Sequence, residues 1–179
     1  MRGSVSPSRF TELVLPHLDA GYNFARWLTR NGHDAEDVVQ EACARALRYL
    51  GGFHGDNARA WFLAIVRNAA FDWLERNRPP EVAGGDDALA DIPDAAGKGP
   101  EAMAIRIDEA NALAGAIAAL PVGFREVLIL RELEELSYKE IARITDVPIG
   151  TVMSRLARAR ALLGRSPLLH AVRATGSGT

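Results

Sequence analysis

The chain lacks the features that would tie it to a membrane, an oxidising compartment or a metal. Its 179 residues include one cysteine, Cys43, so no internal disulfide can form. No apolar run approaches the roughly 20 residues needed to span a bilayer. The opening "MRGSVSPSRFTELVLPHL" has no continuous apolar stretch of the secretory kind. Histidine and cysteine never cluster at metal-ligand spacing. These absences predict a cytoplasmic protein without membrane insertion, metal or cofactor. Alternating period-2 hydrophobicity is also missing, which argues against a sheet.

Helical periodicity fills most of the chain. A first helix is expected near Ser8, and Pro16 is expected to open the first turn of the next. Asn31-Gly32 offers a left-handed stop. Asp34 is the expected cap of the following helix, with Glu36 and Asp37 in its first turn. That helix turns Val38, Ala42, Cys43, Ala46 and Leu50 inward, and Gly51-Gly52 ends it. After the loop "GGFHGDN", a helix from Ala58 to Arg78 places Trp61, Phe62, Ile65, Val66 and Ala69 on one stripe, and Pro79-Pro80 terminates it. Residues 80–99, rich in Gly, Ala, Asp and Pro, read as a flexible linker. A second helical block starts at Pro100, breaks at Pro121, and continues through an S-x-x-E capping box at Ser137 and Glu140. The turn "TDVP" leads to a final helix closed by Gly164. The expected fold is all-α: a domain at 8–79, a linker at 80–99, a domain at 100–165 and a tail at 166–179.

The formal net charge of -2 argues against coating nucleic acid by bulk electrostatics. It conceals two opposed segments. From Glu81 to Glu109 eight acids face only Lys98 and Arg106, a local net of -6. From Ser137 to Arg165 six bases face Glu140 and Asp146, a local net of +4. The basic segment has the plan of a helix-turn-helix, a short capped helix followed by a longer basic one. At about 100° per residue, Thr151, Ser154, Arg155 and Arg158 share one sector, with Arg155 at its centre. Val152, Leu156, Ala159 and Leu163 share another that can pack on a core. Arginine can grip guanine bidentately and hydroxyls can hold phosphates. Arg160 falls outside the reading sector and takes a phosphate or structural role.

The stretch "LSYKEIARITDVPIGTVMSRLARARALL" resembles region 4 of bacterial sigma factors of the extracytoplasmic-function (ECF) type. "DAEDVVQEACARALRYL" resembles their region 2.2, and "ARAWFLAIVRNAAFDWLERNR" their regions 2.3 to 2.4. The blocks follow the family's order and cover most of the chain. The resemblance implies a transcription initiation factor, not an enzyme, that guides core RNA polymerase to promoter DNA. It implies that Asp34, Asp37, Gln40 and Glu41 grip the clamp coiled coil of the largest polymerase subunit, Asp37 and Glu41 lying one turn apart on a shared face. It also implies a second polymerase contact, at the flap. His54, Asp56 and Asn57 in the loop, with Arg67 and Asn68 on the helix, are then the candidates for a base flipped from the -10 element. Thr151, Ser154, Arg155 and Arg158 are the candidates for the -35 element. Phe53 and Trp61 read as core residues, not stacking platforms. The acidic linker, by the same resemblance, runs through polymerase near the RNA path.

Four positions depart from the family pattern. Met153 stands where "GTVKSR" has lysine, Asp146 replaces a turn glycine, and Trp73 and Glu75 occupy commonly basic positions. The short tail "SPLLHAVRATGSGT" offers no sensor domain, so regulation is expected from an anti-sigma partner. Two other readings stay open on the residues alone. One is a dimeric helix-turn-helix regulator acting without polymerase. The other is a metal-dependent hydrolase using Asp34, Glu36, Asp37 and Glu41.

Overall fold

The computed structural model describes residues 7–77 and 100–170, with side chains from 8 to 77 and from 107 to 170. The linker expected at 80–99 and the end of the tail lie outside these residues. Every regular element among the described residues is helical. In order they are α1 (Pro7–Leu13), α2 (Leu18–Thr29), α3 (Gly32–Tyr49), α4 (Ala58–Asn77), α5 (Pro100–Ala118), α6 (Val122–Glu132), α7 (Tyr138–Thr145) and α8 (Ile149–Gly164).

The helix boundaries correct three expectations. Pro16 sits in a separate 3-10 turn, Leu15–His17, and does not open α2. The left-handed residue ending α2 is Arg30, at φ 64°, not Asn31 or Gly32. Asn31 is extended and caps α3, its Oδ1 accepting the amides of His33 at 2.8 Å and Asp34 at 3.2 Å. Asp34 therefore lies inside the first turn and is not the cap. A short amide oxygen two residues ahead of His33 reaches both orphan N–H groups at once, leaving the Asp34 carboxylate no capping task.

The first three long helices pack around Phe24, Leu28, Val38, Ala42, Phe62, Leu63 and Val66, all essentially buried. On α4 the buried stripe is Phe62, Leu63, Ile65, Val66, Ala69 and Ala70. Trp61 is only half-buried and lies against the Phe53 ring, centroids 4.6 Å apart. Cys43 is half-buried, and Leu50 is buried in a 3-10 turn that follows α3. Gly21 sets the approach of α2 to α4: a Cβ there would stand 2.7 Å from Phe62 Cε1 and 3.2 Å from Val66 Cγ2.

In the second half, Pro121 restarts the chain into α6. The complete capping box forms at Ser137 and Glu140. Asp146 takes the left-handed conformation at φ 53° that the turn demands, and Val147 N–H closes on the Ala142 carbonyl at 3.2 Å. The side-chain tolerance of Asp for this region lets the turn form without glycine. Helices α6, α7 and α8 bury Leu128, Leu130, Ile141, Ile144, Val152, Leu156 and Ala159 between them.

The two halves are not separate in this structure. Helix α6 packs on α2, and α7 packs on α4. At the junction, buried Arg125 donates to Ala118 O at 2.7 Å, Leu120 O at 2.9 Å and Leu28 O at 3.2 Å. One guanidinium thus satisfies end carbonyls of both α5 and α2, where a cation is also favoured by the helix dipoles.

Gly21→Ala tests the α2–α4 contact. Helix propensity alone would favour alanine by roughly 0.5–1 kcal/mol, whereas overpacking a filled core typically costs about 1–3 kcal/mol. Because Phe62 is fully buried and cannot swing away, the expected net result in urea denaturation is a loss of stability.

Candidate polymerase and nucleic-acid interfaces

Helix α3 turns Glu36, Asp37, Gln40, Ala44, Leu47 and Arg48 to solvent. Asp37, Gln40, Ala44 and Leu47 are spaced three, four and three residues apart, so they form one stripe. Leu47 is 45% exposed, a large apolar side chain on an otherwise polar row. It was legible in the spacing from Gln40 but was not singled out. Asp37 and Gln40 have no side-chain partner among the described residues. Glu41 differs. It accepts from Arg45 at 2.8 Å, which holds its carboxyl below the ordinary range, and Arg48 stands 3.7 Å away. Arg45 also donates to Asp72 on α4 at 2.7 Å, so Glu41 belongs to a network joining α3 and α4.

The five candidates for the -10 element do not converge. His54, Asp56 and Asn57 lie exposed in the loop before α4. Asn57 Oδ1 accepts the Ala60 amide at 2.9 Å, and its Nδ2 donates to Glu140 Oε1 at 2.6 Å. Asn68, eleven residues on, is about 16 Å further along the axis. It is exposed in an open cleft against α3, beside Glu41, Arg45, Tyr49 and Asp72. Arg67 faces another way. Its Nε donates to Glu126 Oε2 at 2.6 Å, and its guanidinium lies 4.3 Å from the Phe71 ring centroid.

On α8, Ser154 and Arg158 are exposed, while Thr151 and Arg155 are half-buried. Arg155 does not stand at the centre of an open face as the helical wheel suggested. Its Nη1 reaches Glu126 Oε1 at 3.3 Å. Arg160 pairs with Glu132 at 2.6 Å on the surface, both side chains about half exposed. Two basic residues missing from the candidates, Lys139 and Arg143 on α7, are exposed along an open groove at the α7–α8 turn. Their i,i+4 spacing was the available signal.

Glu126 is the pivot of this geometry. It is 1% exposed and shared by Arg67 from α4 and Arg155 from α8. Burial pushes its carboxyl up, and the two guanidiniums pull it back. A buried carboxylate without such partners would be strongly destabilising, so the arginines are drawn inward. A second bridge stands nearby. Arg59, also absent from the candidates, donates to the carbonyl oxygen of Glu134 at 2.9 Å and pairs with its buried carboxylate. Among the described residues, no group of three or more His, Cys, Asp or Glu is placed to hold a metal ion. None of the helices described is long and apolar enough to cross a membrane.

Comparison with known proteins places this arrangement in a class. Residues 13–79 match the family described as Sigma-70 region 2, and residues 110–163 match Sigma-70, region 4. The RNA polymerase sigma-H factor of Pseudomonas aeruginosa is 38% identical over 154 residues, covering 78% of this chain and 77% of that protein. The ECF RNA polymerase sigma-E factor of Escherichia coli K12 is 38% identical over 141 residues, covering 71% and 70%. The ECF sigma factor SigM of Bacillus subtilis is 30% identical over 149 residues, covering 83% and 89%. Among solved structures, the sigma factor RpoE of Bartonella quintana, in complex with the anti-sigma factor NepR, matches with a TM-score of 0.72 and 28% identity over 90% of this chain and 96% of that one. CnrH, in complex with the cytosolic domain of CnrY, matches with a TM-score of 0.61 and 29% identity over 87% and 84%. The chain belongs to the ECF sigma factors of the sigma-70 family. It is a transcription initiation factor that directs core RNA polymerase to promoters, with regions 2 and 4 as its two helical domains.

The helix-turn-helix carries its own pH dependence. Hydrogen bonds from Ser137, the hydroxyl first, hold the Glu140 carboxyl below its ordinary value of 4.5. A depressed carboxylate stabilises the fold above its unfolded pKa, and that contribution is lost as pH falls through the folded value. Ser137→Ala is expected to cost about 1 kcal/mol at neutral pH and to flatten the acid-side loss. Denaturation of wild type and variant between pH 3 and pH 7 (roughly the carboxylate range) measures both effects.

Proposed function

We propose that α3 docks on the clamp coiled coil of the largest polymerase subunit through Asp34, Asp37, Gln40 and Glu41. One observation carries this: the unpaired Asp37–Gln40 row runs into exposed Leu47, a polar edge with an apolar anchor. Within it Asp37 and Gln40 lead, because Glu41 is already engaged by Arg45. Region 4 supplies the second polymerase contact, at the flap. The proposed domain limits are 8–79 and 100–165, with a linker at 80–99 and a tail at 166–179. The protein works in the cytoplasm, needs no cofactor and catalyses no reaction of its own.

For DNA, Asn68 and the loop residues His54, Asp56 and Asn57 take the unstacked -10 strand, and Arg67 joins them once it is released from Glu126. Thr151, Ser154, Arg155 and Arg158 take the -35 element, and Lys139 and Arg143 flank them with phosphate contacts. An anti-sigma partner is proposed by analogy with the RpoE complex, whose partner is an anti-sigma factor.

Asp37→Arg should abolish co-purification with core polymerase while circular dichroism shows intact helices. A folded variant that still binds polymerase would reject the α3 assignment. In run-off transcription with reconstituted holoenzyme, Arg158→Ala should cost roughly 1–3 kcal/mol at one base position if the residue reads a base edge. A uniform loss with a shallower salt slope would make it a phosphate contact instead.

A further inference from the structure

Two side chains on the helix proposed to meet the -35 element have no part in the contacts described so far. Ile149 is 44% exposed and Met153 is 53% exposed. They stand at i and i+4 at the start of α8, roughly 5–6 Å apart at Cβ, and form one short apolar ridge. Single exposed apolar residues are common on protein surfaces and carry no message. This pair differs in its surroundings. The other exposed residues from 149 to 158 are Gly150, Ser154, Ala157 and Arg158. A Cβ at Gly150 would meet no atom within 4 Å, so another molecule can come close to the backbone there. Ile149 also lines the open groove of the α7–α8 turn, whose apolar lining continues through Val147 and Pro148. Lys139 and Arg143 line the same groove, and Asp146 is the one acid in it. The ridge therefore lies among three exposed cations, Lys139, Arg143 and Arg158.

We infer that Met153, with Ile149 one turn before it, reads the C5-methyl group of a thymine in the -35 element and so determines one base of this protein's promoter preference. The cations around the ridge suit a polyanion. The N-terminal part of a recognition helix is the part that contacts base edges. A thioether has no proton to donate and accepts only weakly. Facing a phosphate, Met153 would strip water from an anion and return no hydrogen bond. Facing base edges, it meets one suitable group, because among the four bases only thymine presents a methyl in the major groove. Cytosine at the same place would bring its N4 amino donor against an apolar side chain and leave it unpaired. The unbranched methionine can adjust to the position of the methyl, and the small residues Gly150 and Ala157 leave it room. Lysine, the residue of the family pattern, offers a phosphate contact that carries no sequence information. Methionine at this position replaces that contact with a choice of base.

The inference rests on the -35 reading proposed for Thr151, Ser154, Arg155 and Arg158, and the experiment separates the two. Holoenzyme reconstituted from the full chain and core polymerase selects promoters from a library with a randomised upstream element. The recovered sequences are compared for wild type, Met153→Leu, Met153→Ala and Met153→Lys. Met153 is exposed, so these variants should keep the fold. Wild type should prefer thymine at one position, counted on either strand. Met153→Leu should keep that preference, and Met153→Ala and Met153→Lys should lose it while the other positions stay unchanged. Deoxyuridine is then placed at the selected thymine, which removes only the methyl group. Wild-type holoenzyme should bind that template about fourfold more weakly, the equivalent of roughly 0.8 kcal/mol for one buried CH2-sized group. Met153→Ala holoenzyme should bind the two templates equally. A thymine preference that survives Met153→Ala, or the same response to deoxyuridine in wild type and Met153→Ala, would overturn the assignment. If other upstream positions are still selected and Arg158→Ala weakens them, the -35 reading stands and only the role of Met153 is lost. A holoenzyme with no upstream preference at all would overturn both.

Discussion

Two adjacent residues of opposite charge, Arg125 and Glu126, are both buried at the junction of regions 2 and 4, and the arrangement of the whole chain depends on satisfying them. Burial pushes Arg125 down to about 10, with Arg30 nearby adding to the effect, and its Nε has no partner among the described residues. Glu126 is buried almost completely and needs two guanidiniums. Such groups are poor sources of net stability, since desolvation offsets much of the attraction. They are effective at selecting one geometry, because a shift of a few ångströms would strand a charge. The helix α6 that bears them is therefore the element through which the two regions are registered.

That registration decides what the DNA-facing residues can do. Arg155 and Arg67 belong to different regions and are proposed for different promoter elements, yet one carboxylate joins them. Ser154 and Arg158 remain on the open side of α8, and Asn68 remains open to the cleft beside α3. The candidates for DNA that stand exposed in this structure are thus a subset of those that the sequence offers. The residues of α3 proposed for polymerase docking are not restricted in the same way, since Asp37, Gln40 and Leu47 are all exposed.

The departures from the family pattern acquire distinct consequences. Asp146 holds the left-handed turn without glycine, so the helix-turn-helix is geometrically complete. Met153 is 53% exposed on α8, a flexible apolar side chain in place of the lysine of the family pattern. Trp73 packs partly against the core, whereas Glu75 is exposed. The first change is absorbed by the backbone, the second and the exposed acid alter the surface, and the tryptophan is shared between core and surface.

The helices, the capping box, the basic final helix and the order of the three blocks were all legible in the sequence, because each rests on contacts within a few residues. Ser137 and Glu140 meet three positions apart, and Val152, Leu156 and Ala159 share a face by periodicity alone. The candidates at Asp37 and Gln40 came from the family resemblance, and local spacing added only that Asp37 and Glu41 share a face. Local pattern misassigned the start of α3, where Asn31 competes with Asp34 for the same amides and wins by position. What only the tertiary structure decided is the fate of the charges. Nothing within a few residues of Glu126 indicates that its partners lie 59 residues earlier and 29 residues later. Nothing near Arg59 indicates Glu134, 75 residues away. A helical wheel places a side chain on a face, but whether that face meets water, DNA or a buried carboxylate depends on which helix the fold sets opposite it.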